Sequence, residues 1–253
     1  MNNTIGAIIL AAGKGTRINS REINKVAYPF HGKTMIEYAV DLVESIAQHI
    51  VVVVGAYADS VKSSLQLHPQ VLFAHQEEQL GTGHAVQIGM KPLLSYKPNC
   101  VLVGYGDHMM FYKQEGVKKL VKEHDENKAV VSFITTIHDN PNELAWGRIE
   151  RDPQGRVLDI VEQKDATDKQ REIQELNAGF YCFDYNFLVE NLPKIKKSEV
   201  TGEYYLTDLI KIACLDKKSV VAMPLPFDEV GIGVNKMEEL EESRKLFSQT
   251  QKS

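Results

Sequence analysis

The chain of 253 residues is poor in cysteine, and its three cysteines do not suggest a disulfide-stabilised protein. Cys100, Cys182 and Cys214 are odd in number, far apart and set among apolar neighbours. This usage favours buried free thiols in a reducing compartment. No apolar run approaches the ~18 residues that a membrane span needs, and the N-terminus has no basic segment followed by a cleavage site. We therefore expect a cytoplasmic protein without a membrane partner.

The sequence also lacks an excess of positive charge. It has 29 Lys and Arg residues against 34 Asp and Glu residues, which gives a formal net charge of −5. This balance argues against general nucleic-acid binding, which needs a basic surface. It does not exclude a small anionic ligand, because a few well-placed lysines can create a local positive site. The length suffices for one large or two small domains, and the oligomeric state stays open.

Two familiar phosphate-binding loops are absent as well. The Walker loop needs G-x-x-x-x-G-K-[ST], and the spacing of Gly13 and Gly15 does not fit it. The dinucleotide fingerprint needs G-x-G-x-x-G, but Ile18 occupies its third glycine position. The absence of this fingerprint argues against a dehydrogenase, which is the weakest of the functional hypotheses.

The sequence does contain a strand pattern that leads directly into a glycine loop, IGAIILAAGKGTR at Ile5–Arg17. Its first six residues form a short, isoleucine-rich run bounded by glycine, which predicts a buried strand. Glycines just past a strand let backbone N–H groups approach an anion without a Cβ in the way. Lys14, Arg17 and Lys25 add positive charge. The pattern indicates a nucleoside triphosphate site, with a plain strand-to-loop turn as the alternative.

The first half of the chain alternates apolar strands with helices. Thr34-Met35-Ile36-Glu37 is a capping-box pattern that opens a helix. Because the strands are apolar throughout and are separated by helices, we expect a parallel sheet covered on both faces. Ligands of such sheets bind at the carboxyl ends of the strands. The predicted strands are Ile5–Leu10, Ile50–Val54, Val71–Ala74 and Cys100–Val103, and the later predicted helices are Asp59–Leu67, Gly83–Leu94 and one that includes Val117–Glu123.

The second half of the chain changes character. Asp152-Pro153-Gln154-Gly155 predicts a hairpin turn between two strands. We expect one mixed α/β domain over residues 1–253, in which the second half forms a lobe over the sheet. The predicted strands are Ala129–Ile137, Gly147–Arg151, Val157–Gln163 and Leu176–Phe183, and the predicted helices are Tyr204–Leu215 and about Lys236–Phe247.

Eight short strings together carry a family resemblance. LAAGKGTR at Leu10–Arg17 resembles the signature of sugar-phosphate nucleotidyltransferases. In order and spacing, the whole set resembles the uridylyltransferase domain of bacterial bifunctional UDP-N-acetylglucosamine pyrophosphorylases, and it covers nearly the whole chain. The other seven strings are QEEQLGTGHA (76–85), YGD (105–107), WGRIE (146–150), IVEQKDAT (160–167), LNAG (176–179), GEYYLTD (202–208) and GVN (233–235).

The resemblance implies both a fold and a reaction. The fold would be a three-layer αβα sandwich with a Rossmann-like, mostly parallel mixed sheet, the nucleotide-diphospho-sugar transferase fold. Its nucleotide-binding part would lie at about 1–110 and its sugar-binding lobe at about 111–253. The reaction would join UTP and N-acetylglucosamine 1-phosphate into UDP-N-acetylglucosamine and pyrophosphate, with Mg²⁺ as cofactor. We expect no left-handed β-helix and no acetyl transfer, because no hexapeptide repeat occurs.

The resemblance also assigns the catalytic and metal-binding residues. It makes Asp107 and Asn235 the Mg²⁺ ligands, which suits a hard cation that prefers oxygen. Lys25 and Arg17 would face the phosphates, where positioning and charge neutralisation do most of the work. Local sequence alone offers other interpretations: Asp107 or Asn235 as a helix N-cap, and Lys25 as a solvated surface lysine.

For the nucleotide, the resemblance implies contacts from the first half of the chain. Gln76 offers both a donor and an acceptor, which suits the edge of uracil, although a simple polar loop residue is the alternative. Gly81 and Thr82 would hold the uridine, while we interpret the adjacent His84 as structural. The remaining nucleotide-binding positions are Leu10, Ala11, Ala12, Gly13, Gly15, Tyr105 and Gly106.

For the sugar, the matching positions are Gly147, Glu162 and Asn177. Glu162 could instead be a solvent-facing strand residue and Asn177 a polar residue at a strand edge. Polar groups that orient a ligand are nevertheless what a pocket requires.

The sequence departs from the family pattern near the expected ligands. Asn24 replaces a proline, which predicts a less rigid loop. His108-Met109-Met110 follows Asp107 where the family has an apolar residue and then Pro-Leu, and Ala178 replaces a threonine beside Asn177. Two alternatives therefore stay open. One is the same reaction class on another sugar 1-phosphate or a phosphorylated alcohol, including a CTP-dependent reaction. The other is a nucleotide-binding regulator without turnover.

Overall fold

The computed structural model describes residues 4–13, 15 and 22–250 of the chain. These residues form eleven strands and nine α-helices, with short 3₁₀ helices at Lys25–Ala27, Pro141–Glu143 and Leu192–Lys194. The strands are β1 (Ile5–Ala11), β2 (Pro29–Phe30), β3 (Lys33–Thr34), β4 (His49–Val54), β5 (Val71–His75), β6 (Cys100–Tyr105), β7 (Val131–Ile137), β8 (Arg148–Arg151), β9 (Val157–Val161), β10 (Glu175–Asp184) and β11 (Val220–Pro224). The helices are α1 (Met35–Glu44), α2 (Ala58–Ser64), α3 (Thr82–Leu93), α4 (Gln114–Glu126), α5 (Asp168–Arg171), α6 (Tyr185–Asn191), α7 (Asp208–Leu215), α8 (Phe227–Val230) and α9 (Met237–Thr250).

One mixed sheet of nine strands organises the described residues, with the main order β11-β7-β10-β6-β1-β4-β5. β1 pairs in parallel with β4 and β6, and β4 pairs in parallel with β5. β10 runs antiparallel to both of its neighbours, β6 and β7, while β8 and β9 form a hairpin that joins β10. The mostly parallel mixed sheet is confirmed. The second half differs from expectation, because β7, β10 and β11 complete the central sheet instead of lying over it.

Alternating side chains on β1 show why the fold has three layers. Successive strand residues point to opposite faces of a sheet, and Ile9 and Leu10 belong to different hydrophobic clusters, one on each face. Helices α1, α2 and α4 cover the first face, and α3, α6 and α7 cover the second. Because every residue of β1 is buried, the strand reads as a continuous apolar run, as expected for a doubly covered sheet.

Several element boundaries differ from the sequence expectation for identifiable reasons. β6 continues past Val103 because Gly104 and Tyr105 still pair with β1. The helix expected from Tyr204 begins at Asp208 instead, since the backbone of Tyr204 exchanges hydrogen bonds with Leu80 and Gly83 at 2.8 Å each. The sequence analysis did not predict the β2–β3 hairpin, β11 or α6. Short elements of this kind depend on tertiary contacts more than on local periodicity.

The cysteines agree with the sequence expectation in part. All three lie in the described region and are free thiols. Cys100 and Cys182 are buried in the core, whereas Cys214 is only half-buried, contrary to expectation. Within residues 4–13, 15 and 22–250, no helix is long and apolar enough to cross a membrane.

The capping box at the start of α1 gives a stability prediction. The Thr34 hydroxyl accepts from the Glu37 backbone N–H, and the Glu37 carboxylate accepts from the Thr34 backbone N–H. We expect Thr34→Ala to lower the free energy of unfolding by about 1 kcal/mol. Thr167→Ala is the matched control, because Thr167 caps α5 with the same motif but that helix buries no residue. Its loss in urea unfolding should be less than half as large, and equal losses would contradict the assignment.

Candidate active site

A cavity of about 420 Å³ opens at the carboxyl ends of β1, β5 and β6. This is the edge where parallel sheets bind their ligands, and the volume suits a small-molecule site. The cavity brings together residues from all eight motif strings, although they are spread over more than 200 positions of the chain. The sequence-predicted residues that line it are Leu10, Ala12, Gly13, Lys25, Gln76, Gly81, Thr82, Tyr105, Asp107, Gly147, Glu162, Asn177 and Asn235.

Four predicted residues stand apart from this group. In the described part of the chain, Ala11, Gly15 and Gly106 are not among the residues that line the cavity. Ala11 is buried in the hydrophobic cluster on the opposite face of the sheet from Leu10, because the strand alternation turns its side chain away. Gly106 donates its backbone N–H to the Leu10 carbonyl at 3.0 Å. Arg17 lies outside the described residues.

Asn24 holds the glycine loop in place. Its side-chain nitrogen contacts the backbone oxygens of Ala11 and Gly13 at 3.1 Å each and of Ala56 at 2.8 Å. Its side-chain oxygen accepts from the Val26 N–H at 3.1 Å, so it caps the 3₁₀ helix that begins at Lys25. This buried amide cross-links three segments, and the lower rigidity expected from the loss of the proline stays a prediction.

Lys25, Asp107 and Asn235 meet at one side of the cavity. The Lys25 ammonium forms an ion pair with the Asp107 carboxylate and donates to Asn235 Oδ1 at 3.3 Å and to the Val234 carbonyl at 3.1 Å. A cationic atom is thus surrounded by carboxylate, amide and carbonyl oxygens. These are the ligand types that Mg²⁺ accepts in proteins, so the residues fit a divalent cation.

The local interpretation of Asn235 as a helix cap is not what the structure shows. The Glu239 carboxylate accepts from the backbone N–H groups of Asn235 at 2.6 Å and Lys236 at 3.1 Å at the start of α9. The Asn235 side chain is therefore turned towards Lys25. The Val234 N–H donates to the Asp107 carbonyl at 3.0 Å, which ties this segment to the end of β6.

Gln76 is buried at the end of β5, and its amide has a fixed orientation. Its Nε2 donates to the Gly81 carbonyl at 3.3 Å and contacts His84 Nδ1 at 3.0 Å. A carbonyl oxygen can only accept, so Nε2 faces Gly81 and Oε1 is the atom not used in these contacts. The structural role of His84 stays a prediction, with this contact to Gln76 in its favour.

Gly81 needs to be glycine for two reasons. Its φ of +107° lies in a region that side-chain-bearing residues rarely adopt, and a Cβ would lie 2.5 Å from the Tyr204 carbonyl oxygen. The next residue, Thr82, accepts the Leu206 N–H with its hydroxyl at 3.0 Å. The loop before α3 is therefore built against the GEYYLTD segment.

The polar residues of the second half line the other side of the cavity. Glu162 accepts from the Thr207 hydroxyl at 2.9 Å, and burial raises the pKa of its carboxyl. Glu162 is half-buried in the cavity lining, which does not match the alternative of a solvent-facing strand residue. Asn177 is buried, with its nitrogen donating to the Tyr181 hydroxyl at 2.6 Å and its oxygen accepting from the Gly179 N–H at 3.2 Å. A Cβ on Gly147 would meet Ile160 at 2.7 Å, so glycine is required there too.

The sequence analysis gave no role to several residues that line the cavity. His108 and Trp146 pack together there, with ring centroids 4.5 Å apart. Burial lowers the pKa of His108 to about 4, so its imidazole is neutral at pH 7. The motif strings already contained some of these residues, but nothing in a single sequence distinguishes them from framework positions. The others are Gln79, Ala85, Ala145, Gln163, Lys164, Gly179, Glu203, Tyr205 and Gly233.

The departure at Ala178 does not change the cavity wall. Its side chain is fully buried in the cluster beneath α1 and α4. Its carbonyl accepts from the Tyr112 hydroxyl at 2.7 Å. Of the departures around Asp107 and Asn177, His108 is therefore the one that reaches the cavity.

Arg148 organises the loop that carries Trp146 and Gly147. Its side chain is fully buried, and its guanidinium donates to the carbonyls of Pro141 at 2.9 Å, Leu144 at 3.3 Å and Trp146. Burial lowers the pKa of this guanidinium. A charged residue is rarely buried to this extent, so the sequence pattern gave no reason to expect it inside.

The fold is that of an α/β protein with a cavity at the carboxyl ends of parallel strands. The model of one protein family, nucleotidyl transferase, matches residues 6–229. The chain belongs to this nucleotidyl transferase family, which confirms the assignment expected from the motifs.

Curated relatives and a solved structure are consistent with this assignment. The bifunctional protein GlmU of Geotalea daltonii is 38% identical over 243 residues, which cover 96% of this chain and 52% of that protein. The bifunctional protein GlmU of Geobacillus sp. is 40% identical over 241 residues, 95% of this chain and 51% of that protein. The chain therefore spans about half the length of these relatives. A similar solved structure is a crystal structure from Bacillus anthracis, assigned as a glucose-1-phosphate thymidylyltransferase in complex with a sucrose. The two structures superpose with a TM-score of 0.77 at 18% sequence identity, over 96% of this chain and 95% of that chain. At that identity it supports the fold alone.

The contacts of Asn24 predict a measurable loss of stability. We expect Asn24→Ala to lower the free energy of unfolding by about 2 kcal/mol, because buried backbone oxygens lose their donor. Asn127→Ala is the control, since the exposed Asn127 amide bonds one helix-end carbonyl at 2.8 Å. Urea unfolding of both variants gives the comparison. Equal losses would show that Asn24 does not cross-link the loop.

Proposed function

We propose that this chain is a divalent-metal-dependent uridylyltransferase that makes UDP-N-acetylglucosamine and pyrophosphate from UTP and N-acetylglucosamine 1-phosphate. The observation that carries the proposal is the meeting of Lys25, Asp107 and Asn235 at one cavity. Most of the proposed nucleotide-binding residues line one side of this cavity, and polar residues of the second half of the chain line the other. Membership of the nucleotidyl transferase family supports it. So do the eight motif strings and the relatives at 38% and 40% identity.

The chemistry asks for positioning and charge neutralisation. An oxygen of the sugar phosphate attacks the α-phosphorus of UTP in line, a new P–O bond forms, and the bond to the β-phosphate breaks as pyrophosphate leaves with its electron pair. No general base is required, because the attacking phosphate is already an anion. Such transfers depend mainly on electrostatic stabilisation of phosphate oxygens. We assign this task to Lys25 and, outside the described residues, to Arg17.

Asp107 and Asn235 would hold the divalent cation, for which we propose Mg²⁺. When bound, this cation supplies electrostatic stabilisation of the charge on the phosphates. The support is that the side-chain oxygens of both residues already face one cation, the Lys25 ammonium. Asp107 and Lys25 are largely buried, with 14% and 16% of their side chains exposed, and burial weakens the competition from water.

The nucleotide base would be selected by Gln76. Its Nε2 is engaged by Gly81 and His84, so Oε1 is left as the acceptor for a ligand. The N3–H of uracil is a donor that matches this acceptor, whereas N3 of cytosine is itself an acceptor. Gly81 and Thr82 complete the uridine subsite, and the backbone around Leu10, Ala11, Ala12, Gly13 and Gly15 and residues Tyr105 and Gly106 form the remainder of the proposed nucleotide site.

The sugar would be held by Glu162, Asn177 and Gly147 in the second half of the cavity. Glu162 and Asn177 have fixed hydrogen-bond partners and so present oriented polar groups. One observation favours a second candidate, the same reaction on another sugar 1-phosphate or on a phosphorylated alcohol. The polar ring of His108 lies in the cavity wall, where the family resemblance implies an apolar residue. A pyrophosphate-release assay across four nucleoside triphosphates and several sugar 1-phosphates distinguishes the two.

Asp107→Ala tests the metal and phosphate site. We expect turnover to fall by at least about 100-fold, because the charge stabilisation of the transferring phosphate is lost. The fold should survive, with an unchanged circular dichroism spectrum, since Asp107 lies in a loop. Asp216→Ala is the control, an exposed aspartate at the end of α7. Near-normal activity of purified Asp107→Ala at saturating Mg²⁺ would overturn the assignment, as would a similar loss in the control.

Nucleotide choice tests the base subsite. A buried acceptor left unpaired costs about 1–3 kcal/mol, so kcat/KM for UTP should exceed that for CTP by well over tenfold. dTTP should be tolerated better, because its methyl group changes no hydrogen bond. Gln76→Ala should narrow the preference for UTP more than it slows turnover at saturating UTP, while the exposed Gln174→Ala should leave it intact. Equal use of UTP and CTP by the unmodified chain would rule out this base subsite and favour the cytidylyltransferase alternative.

A further inference from the structure

A third hydrophobic cluster lies apart from the two clusters that flank the sheet. It joins three segments, and we call it the aromatic clamp. The segments are Tyr28–Tyr38, which contains the β2–β3 hairpin and the start of α1, the segment after β6, and the segment from Val234 through helix α9. Its buried members are Phe30, Met35, Met110, Phe111, Val234 and Leu240, with Tyr28, Tyr38, Leu246 and Phe247 packed against them.

Each of the three segments that enter the aromatic clamp also carries one of the polar residues of the site. In the sequence, Phe30 comes shortly after Lys25 and Phe111 shortly after Asp107. Val234 directly precedes Asn235. The two main clusters support the sheet. The aromatic clamp is the cluster in which the three segments pack against one another.

Phe247 is the residue of the aromatic clamp that links α9 to the other two segments. Its ring centroid lies 5.1 Å from that of Phe30, 5.5 Å from that of Phe111 and 5.6 Å from that of Tyr38. Polar contacts reinforce the same docking, because Arg244 donates to the Pro29 carbonyl. The C-terminal half of helix α9, which carries Arg244 and Phe247, thus packs on the β2–β3 hairpin.

Glu239 links Asn235 to the start of α9. The Glu239 carboxylate accepts from the N–H groups of Asn235 and Lys236, so the backbone of Asn235 is tied to the first turn of the helix. Phe247 is about 15 Å along the helix from Met237 at a rise of 1.5 Å per residue. A change in how Phe247 docks would therefore tilt the helix and shift Asn235 relative to Asp107 and Lys25.

We propose that Phe247 is a positioning residue for the cation site, which through α9 holds Asn235 against Asp107 and Lys25. The inference rests on the proposed function, since it takes those three residues as the divalent-cation and phosphate site. A displacement of about 1 Å at such a site is enough to cost a large factor in its function. The aromatic contacts of Phe247 with two other segments thus determine the affinity for a divalent cation without touching it.

The test compares Phe247→Ala with Phe247→Leu and with Phe187→Ala. Phe187 is a buried residue of α6 in the cluster on the far face of the sheet, so its loss measures destabilisation alone. Binding of Mn²⁺ in the presence of UTP, without sugar phosphate, is followed by the electron paramagnetic resonance signal of free Mn²⁺. The Mg²⁺ concentration for half-maximal pyrophosphate release and the melting temperature are measured in parallel.

We expect Phe247→Ala to weaken Mn²⁺ binding about tenfold and to raise the half-maximal Mg²⁺ concentration by a similar factor. Phe247→Leu should restore both to within about twofold, because a large apolar side chain still fills the clamp. Phe187→Ala should lower the melting temperature without changing either. Arg244→Ala, which opens no cavity in the clamp, should weaken Mn²⁺ binding in the same direction by a smaller factor, and it carries the test if Phe247→Ala does not fold.

The outcomes separate this inference from the proposed function. Mn²⁺ binding unchanged in Phe247→Ala and Arg244→Ala, or weakened equally in Phe187→Ala, would overturn the positioning role. An unmodified chain that binds Mn²⁺ and UTP but releases no pyrophosphate with any sugar phosphate would overturn the proposed function. In that case the comparison of Mn²⁺ affinities still decides whether Phe247 positions the cation site.

Discussion

The rest of the structure depends on the burial of β1 between β4 and β6. Parallel pairing on both sides aligns the ends of the three strands, with Ala11 opposite Val54 and Leu10 opposite Tyr105. The loops that follow these strands therefore leave the sheet at one edge and form one cavity. A parallel sheet needs helices on both faces, because neither face of its strands can be left in water. The same constraint that buries the apolar run thus places Gly13 and Asp107 at one edge of the sheet, in the lining of one cavity.

Buried polar groups anchor two of the loops at this edge. Asn24 gathers three backbone carbonyls around the glycine loop, and Arg148 does the same for the loop that carries Trp146. Loops cannot satisfy their backbone oxygens by regular pairing, so a buried donor from elsewhere has to do so. Such donors are costly to bury and costly to remove.

The sequence predicts the parts of the site that local order determines, and it fails where distant segments meet. Strand-end positions such as Gln76 and Asp107 follow from apolar runs that stop at polar loops. The contact between Lys25 and Asn235, by contrast, joins positions far apart in the chain, and only the family resemblance indicated it. The insertion of β10 as an antiparallel strand between β6 and β7 has no local signature, because its apolar run would suit either direction. Arg148 is a different kind of failure. A charged side chain is expected at the surface, so the sequence gives no sign that Arg148 is buried.

If the proposed function holds, electrostatics at the site account for how an acidic chain would accept a triphosphate. In the structure the Lys25 charge is matched by the Asp107 carboxylate, so this pair presents no net positive charge to an anion. In the proposed function a divalent cation joins Asp107 and Asn235 and makes the local balance positive. Nucleotide and cation would therefore bind with mutual assistance, and linkage requires that each raise the affinity for the other by the same factor. An anion that brings no cation would meet a neutral pair, which would favour the metal-bound nucleotide.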